Sequence, residues 1–412
     1  MEGDRVKSPD RMLDQSDQPA MLRRASKRID AVELPIIPTI AAMVRDNPGC
    51  ISLGQGVVSY GPPADDVARL PGLMADLQLN KYQAVSGLPA LTDALTKKLE
   101  AVNRVDIANG YRIMVTAGSN MAFLNAVLAV ADPGDEFILP LPYYFNQEMA
   151  VKMCDAVPVA VPSLEDYQLD IEAIEAAISP KTRAIVTVSP NNPTGVVYRP
   201  EDLARINHLC KRYGLYHFSD EAYEYFTYEG AKHYSAASAG SACEHTLSFF
   251  SFSKNYGMAS WRVGYVVYPE HLHEAMNKVQ DTNLICAPVI SQLLALQVLN
   301  RPRASIDEQV NHLSKVRSKV YDILSPLRPL ADFHPTQGAF YVLVSLPGVE
   351  DPLAFNHFLA REHKVACVPG FAFGLSDTQF RNVQRLSYGA LAPETVVEGV
   401  NRFVAGVRDW YK

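Results

Sequence analysis

Between Tyr111 and Val267 the chain alternates short β-rich apolar runs with helix-forming stretches. Tyr111–Thr116 is apolar, breaks at Gly118-Ser119, and leads into a helical pattern over Met121–Val130. Asp135–Leu139 is a predicted strand ending at Pro140, and Arg183–Val188 another ending in SPNNPTG. Glu201–Tyr213 reads as a helix, and Leu215–Ser219, Thr246–Phe252 and Val263–Val267 as strands. Such alternation predicts an α/β fold of βαβ units, with a mainly parallel sheet covered by helices on both faces.

After residue 270 the pattern changes. Ser291–Leu299 and Ile306–Leu324 read as long helices, and Phe340–Leu346, Val365–Val368 and Val383–Ser387 as separate strands. This predicts a second, smaller α+β domain that also takes in the region before the βαβ pattern. The expected division is a flexible tail over 1–30, the N-terminal part of the small domain over 31–70, a large domain over 71–299, and the rest of the small domain over 300–412.

Net charge is −7 over 412 residues, so no basic field points to nucleic acid. No apolar run approaches the ~18 residues needed to span a bilayer. The six cysteines are scattered without a CxxC pair, which predicts reduced core residues and no metal site. The polar, aspartate-containing N-terminal stretch lacks an apolar signal region, and a cytoplasmic protein is expected.

Ligands in open α/β sheets bind beyond the carboxyl ends of the strands. Four such ends carry distinctive residues here. In TAGSNMAF (Thr116–Phe123) a strand runs through Gly118, Ser119 and Asn120 into a helix. Small residues admit a ligand to the backbone, and the free N–H groups at a helix start suit a phosphate. The plainer reading is an N-cap by Ser119. PNNPTG (Pro190–Gly195) fixes a tight turn that projects the Asn192 amide, a donor for an aryl oxygen, or is simply a turn.

In HFSDEAYEYF (His217–Phe226), Asp220 falls at a strand's end, where a carboxylate is costly unless paired with a cation. Tyr223 points the same way from an expected first helical turn. Alternatively, Asp220 caps the next element. In SFSKNYGMASWRVGY (Ser251–Tyr265), Lys254 stands among apolar, aromatic and small residues. Desolvation there lowers a lysine pKa, which suits Schiff-base chemistry. Ser251, Ser253 and Arg262 suit an anion. Alone, Lys254 reads as a snorkelling surface lysine. Beside the other three strand ends that reading loses.

Together these groups describe one ligand. It has a phosphate, an aryl oxygen, a ring nitrogen that pairs with a carboxylate, and a carbonyl that pairs with an amine. That ligand is pyridoxal 5′-phosphate. Through NPTG (Asn192–Gly195), DExY (Asp220–Tyr223) and SxSK with Arg262 eight residues on, the chain resembles the class I/II aminotransferases, the fold-type-I family that includes aspartate aminotransferase. The resemblance covers nearly all of residues 31–410. It implies a seven-stranded-type sheet sandwiched by helices, plus a small domain built from both chain ends.

The resemblance also implies roles. Lys254 is the Schiff-base lysine, Asp220 partners the ring nitrogen, and Asn192 and Tyr223 partner the phenolic oxygen. Gly118, Ser119, Asn120, Ser251 and Arg262 form the phosphate end. Tyr144, in LPYYFN, stacks on the ring, although a core tyrosine is the plainer reading. Tyr82, in NKYQAVSGLPAL, reaches the neighbouring subunit's phosphate, which implies a homodimer with shared sites. Arg385, in QRLSYG, clamps the substrate α-carboxylate, and Gly56, in LGQGVV, lies with Asn192 beside the substrate. QGVV, PYYFN, YEYF and SFSKNYGM are most similar to plant-type enzymes acting on aromatic amino acids and methionine.

The expected activity is therefore ping-pong transamination between an L-amino acid, aromatic or methionine-like, and a 2-oxo acid. Aspartate-type transamination and a lyase or decarboxylase on the same fold are the alternatives. No second arginine for a substrate's side-chain carboxylate can be placed in the sequence. A non-catalytic binding protein is disfavoured by the full set of Lys254, Asp220, Asn192, Tyr223 and both arginines.

Overall fold

The apolar runs become strands buried on both faces, and for that reason they lack a polar-facing alternation. The computed structural model describes residues 26–375 and 382–412. The short β1 (Ile51–Ser52) comes first. A seven-stranded sheet follows, made of β2 (Tyr111–Thr116), β3 (Glu136–Pro140), β4 (Val157–Val161), β5 (Thr182–Val188), β6 (Tyr216–Asp220), β7 (Thr246–Ser251) and β8 (Gly264–Pro269). The order is β2-β8-β7-β6-β5-β3-β4, and every pairing is parallel except those of β8, which runs antiparallel to both β2 and β7.

Successive side chains of these strands serve opposite faces. Met114, Phe249 and Val266 join Phe123, Phe137 and Phe218 in one core, under the helices Ser119–Val130 and Phe145–Met153. Their neighbours Val115, Phe250 and Val267 pack on the other face, against Leu91, Leu95 and Leu294. Phe123 meets Phe218 edge-on at 5.5 Å, an arrangement favoured by the ring quadrupole.

Beyond this sheet come β9 (Tyr341–Ser345), β10 (Val365–Ala366), β11 (Val368–Pro369) and β12 (Val383–Ser387). β1 pairs in parallel with β10, so the chain's early part is tied to its late part. β11, β12 and β9 form an antiparallel sheet, and the long helices Ala304–Leu324 and Pro393–Trp410 share a core with β9.

Several sequence expectations change. Val365–Val368 is not one strand. The Cys367 amide donates to the Asn356 side chain at 2.9 Å, which takes it out of the ladder and splits the run between two sheets. Val157–Val161 was not expected as a strand. It contains Pro158 and forms the sheet's edge, where a missing N–H is tolerated. Tyr223 sits in a turn rather than a helical turn. Within the expected tail, Lys27–Asp30 forms a helical turn, and residues 1–25 lie outside the described residues. No helix among the described residues is long and apolar enough to cross a membrane.

Candidate active site

Strand register gathers the distinctive ends. Val188 of β5 lies level with Asp220 of β6, and Asp220 with Phe249 of β7. Gly264 of β8 pairs with both Thr116 and Ser251, so it sits between the start of AGSN and the start of SFSK. A Cβ at Gly264 would lie 2.7 Å from the Ser119 amide nitrogen and 2.8 Å from the Phe250 carbonyl, closer than such atoms approach. Glycine is thus what lets these two strand ends converge.

At that junction Gly118 takes a φ of +84° and presses against the Arg262 guanidinium. Arg262 itself adopts the left-handed conformation and donates to the Ala259 carbonyl at 2.7 Å. Ser119 is the first helical residue, and Gly118 stands at the cap position with no side-chain bond, so the reading of Ser119 as N-cap does not hold. Ser251 caps a one-turn helix by accepting from the Ser253 amide at 3.1 Å.

Lys254 follows on that turn. It donates to the Gly56 carbonyl, and its own carbonyl accepts from Tyr60 Oη at 3.1 Å. Burial pulls its pKa down to about 8, and the nearby Arg262 and Arg385 push the same way while Asp220 opposes. Asp220 is pushed up to about 6, chiefly by burial. Its oxygens accept from the Ala222 amide at 3.1 Å and the Gln147 side chain at 2.8 Å. A buried carboxylate and a partly buried amine facing one cavity, with their pKa values drawn toward neutrality, are what proton-transfer chemistry needs.

Asn192, in a cis-proline turn, accepts from Arg385 Nη1 at 2.8 Å, and Nη2 donates to the Gly54 carbonyl at 2.6 Å. Tyr223 Oη lies 2.7 Å from Tyr341 Oη. Tyr144 is partly buried, and its hydroxyl accepts from Asn146 at 2.7 Å.

All the sequence-predicted residues except Gly118 and Tyr82 line one cavity. Gly118 stands behind it, against Arg262. Tyr82 is 80% exposed on the surface of this chain. Sequence reasoning missed Ile37, Phe145 and Tyr341 on the cavity wall, and Gln147 behind Asp220. No local motif marks them. Gln147 has only its place on the helix that begins right after Tyr144 as a signal.

The residues present fit pyridoxal phosphate and an amino acid. Arg385 is 1% exposed, its Nε has no partner, and among the described residues no carboxylate pairs with it. A buried guanidinium in that state is costly until an anion arrives. At the other end, Arg262 and the Ser119 helix start offer a cation and free N–H groups for a phosphate.

A family model described as "Aminotransferase class I and II" matches residues 48–403. The chain is 34% identical to "Aromatic aminotransferase ISS1" of Arabidopsis thaliana, over 93% of this chain and 96% of that protein. It is 35% identical to a "Probable aspartate/prephenate aminotransferase" of Aquifex aeolicus, over 78% of this chain and 82% of that one. The solved aromatic aminotransferase from Pyrococcus horikoshii superposes with a TM-score of 0.82 at 30% identity, covering 90% of this chain and 99% of that chain.

Proposed function

This chain belongs to the class I and II aminotransferases, pyridoxal-phosphate enzymes that exchange an amino group between an amino acid and a 2-oxo acid, and on that premise we propose a preference for aromatic or methionine-like donors. The observation that carries the proposal is the cavity's charge inventory. Among the described residues its cations are Lys254, Arg262 and Arg385. With Arg262 on the phosphate, Arg385 on the α-carboxylate and Lys254 on the carbonyl, none remains among the described residues of the cavity for a side-chain carboxylate. Ile37 and Phe145 supply apolar wall instead. Relatives named for aromatic substrates in a plant and an archaeon support the same reading. Those named for aspartate support the second reading, an aspartate-type donor.

Each side chain has a task in this scheme. Ser119, Asn120, Ser251 and Arg262 hold the phosphate. Tyr144 covers the ring face, and Asn192 and Tyr223 donate to the ring oxygen. Asp220, ionised above about pH 6, keeps the ring nitrogen protonated. Once bound, the cofactor supplies a carbonyl for the amino group and a ring that takes up the electrons left at Cα. Arg385 orients the substrate by its carboxylate, so that the Cα–H bond meets the Lys254 amine. That amine, with its pKa near 8, has a neutral fraction able to take the Cα proton at physiological pH. Burial, which lowers the Lys254 pKa and raises that of Asp220, keeps bulk water from competing for that proton.

The same reading makes the enzyme a homodimer. Tyr82, exposed on this chain, reaches the phosphate end of a second copy's cavity. Residues 31–70 and 300–412 serve as the small domain around the 71–299 core.

The test is a half-reaction panel, in which single amino acids are mixed with the cofactor-loaded protein and the cofactor's absorbance is followed. Conversion by Phe, Tyr, Trp and Met, but not by Asp, is the expected result. Faster conversion by Asp would replace this reading with the aspartate-type one.

A further inference from the structure

Tyr341 stands at the start of β9, fully buried, 118 residues from Tyr223 in sequence. Its hydroxyl is 2.7 Å from that of Tyr223, a well-formed hydrogen bond between two hydroxyls. Its ring lies under the Arg385 guanidinium, with the centroid 4.6 Å away. It also closes on the loop that holds Lys254: a Cβ at Gly56 would sit 2.7 Å from Tyr341 Oη, and the Gly56 carbonyl accepts from Lys254. One side chain therefore touches Tyr223, Arg385 and the residue whose carbonyl holds Lys254.

We propose that Tyr341 is a positioning residue that donates its hydroxyl proton to Tyr223, so that the Tyr223 proton is left to point at the cofactor's ring oxygen. The inference rests on the reading of Tyr223 given above. Two hydroxyls in contact have one proton between them, and which of them donates decides where the other proton goes. Arg385 covers the Tyr341 ring, and Tyr144 and Arg385 are the other polar groups acting on Tyr223. Asp220, Lys254 and Arg262 complete the ionisable set among the described residues of the same cavity. None of these offers Tyr341 the acceptor that Tyr223 offers. A phenol that accepts one hydrogen bond donates a stronger one, because the two bonds polarise each other.

The consequence is a pH effect with a definite sign. Hydrogen bonds donated to the ring oxygen favour the form in which the bound cofactor has lost its proton, and so lower the midpoint of its absorbance titration. Removing the Tyr341 hydroxyl weakens the Tyr223 donor and moves that midpoint up.

The experiment is a spectrophotometric pH titration of cofactor-loaded wild type, Tyr341→Phe, Tyr223→Phe and the double variant, without substrate. Phe keeps the ring over Arg385 and removes only one oxygen. The expected result is an upward shift of about half a pH unit in Tyr341→Phe, the scale of one hydrogen bond, with no added shift when the same change is made on Tyr223→Phe. An unshifted midpoint in Tyr341→Phe, or the same shift with Tyr223 already removed, would overturn the inference while leaving the proposed function intact. A wild type that takes up no cofactor would overturn both.

Discussion

The Arg385 guanidinium donates to the Asn192 side-chain oxygen at 2.8 Å, joining a strand of the late chain to the cis-proline turn 193 residues earlier. The group assigned to the substrate carboxylate is thus fixed by the group assigned to the ring oxygen, so substrate and cofactor are registered against each other.

Arg385→Lys tests that registration. Lysine brings one compact charge where the fork now spans Asn192, Gly54 and an open Nε. The expected outcome is a loss of about 100-fold in kcat/KM, the scale of a lost charge-assisted pair of bonds, carried largely by KM. Steady-state kinetics on the preferred donor checks it, and an unchanged KM would contradict the assignment.

Burial of Lys254 has a cost that depends on pH. The folded chain holds this proton only to about pH 8, against the ordinary 10.5. Between those values the unfolded chain binds more protons, so stability rises with pH there, and the full burden is present below about 8. In the cofactor-free protein, Lys254→Met is expected to add about 2–3 kcal/mol near neutral pH. The gain should shrink as pH climbs through about 8 toward 10.5. Denaturant melts across that range check the sign, and a variant less stable than wild type at neutral pH would contradict it.

Gly264→Ala places a methyl against the Ser119 amide and the Phe250 carbonyl. Both are backbone, so the helix start must move away from the SFSK strand. Cofactor affinity is expected to fall about tenfold, within the usual cost of overpacking. Cofactor titration of the cofactor-free variant reads it, and wild-type affinity would mean that the junction does not shape the phosphate end.

The strand-end chemistry was legible because Lys254, Asp220 and Asn192 each follow an apolar strand and break its pattern locally. Parallel register then carried them to one end of the sheet. Tyr341 and Gln147 were not legible. Each reads as an ordinary strand or helix residue, and only long-range packing sets Tyr341 against Tyr223 and Gln147 against Asp220. The split at Cys367 was hidden for a similar reason, because the Asn356 side chain that takes its amide is eleven residues away. Tyr82 was legible only through resemblance, since it stands exposed, away from the cavity of its own chain.

If Tyr82 serves the other subunit, two damaged chains can complement each other. Lys254→Ala and Tyr82→Ala are each expected to be weak or inactive alone. Mixed and allowed to exchange, they form dimers in which one site has both residues intact. About a quarter of the sites should recover, as random pairing in a two-fold dimer dictates. No recovery on mixing, with exchange verified by mass, would place Tyr82 outside the shared site.

The central claim is that Lys254 is the amine that holds the cofactor. Borohydride reduction of the loaded protein, followed by peptide mass mapping, tests it most directly. The expected result is the reduced cofactor's mass on the peptide containing Lys254 and on no other lysine, with no labelling in Lys254→Ala. Labelling of a different lysine, or undiminished labelling in Lys254→Ala, would contradict it.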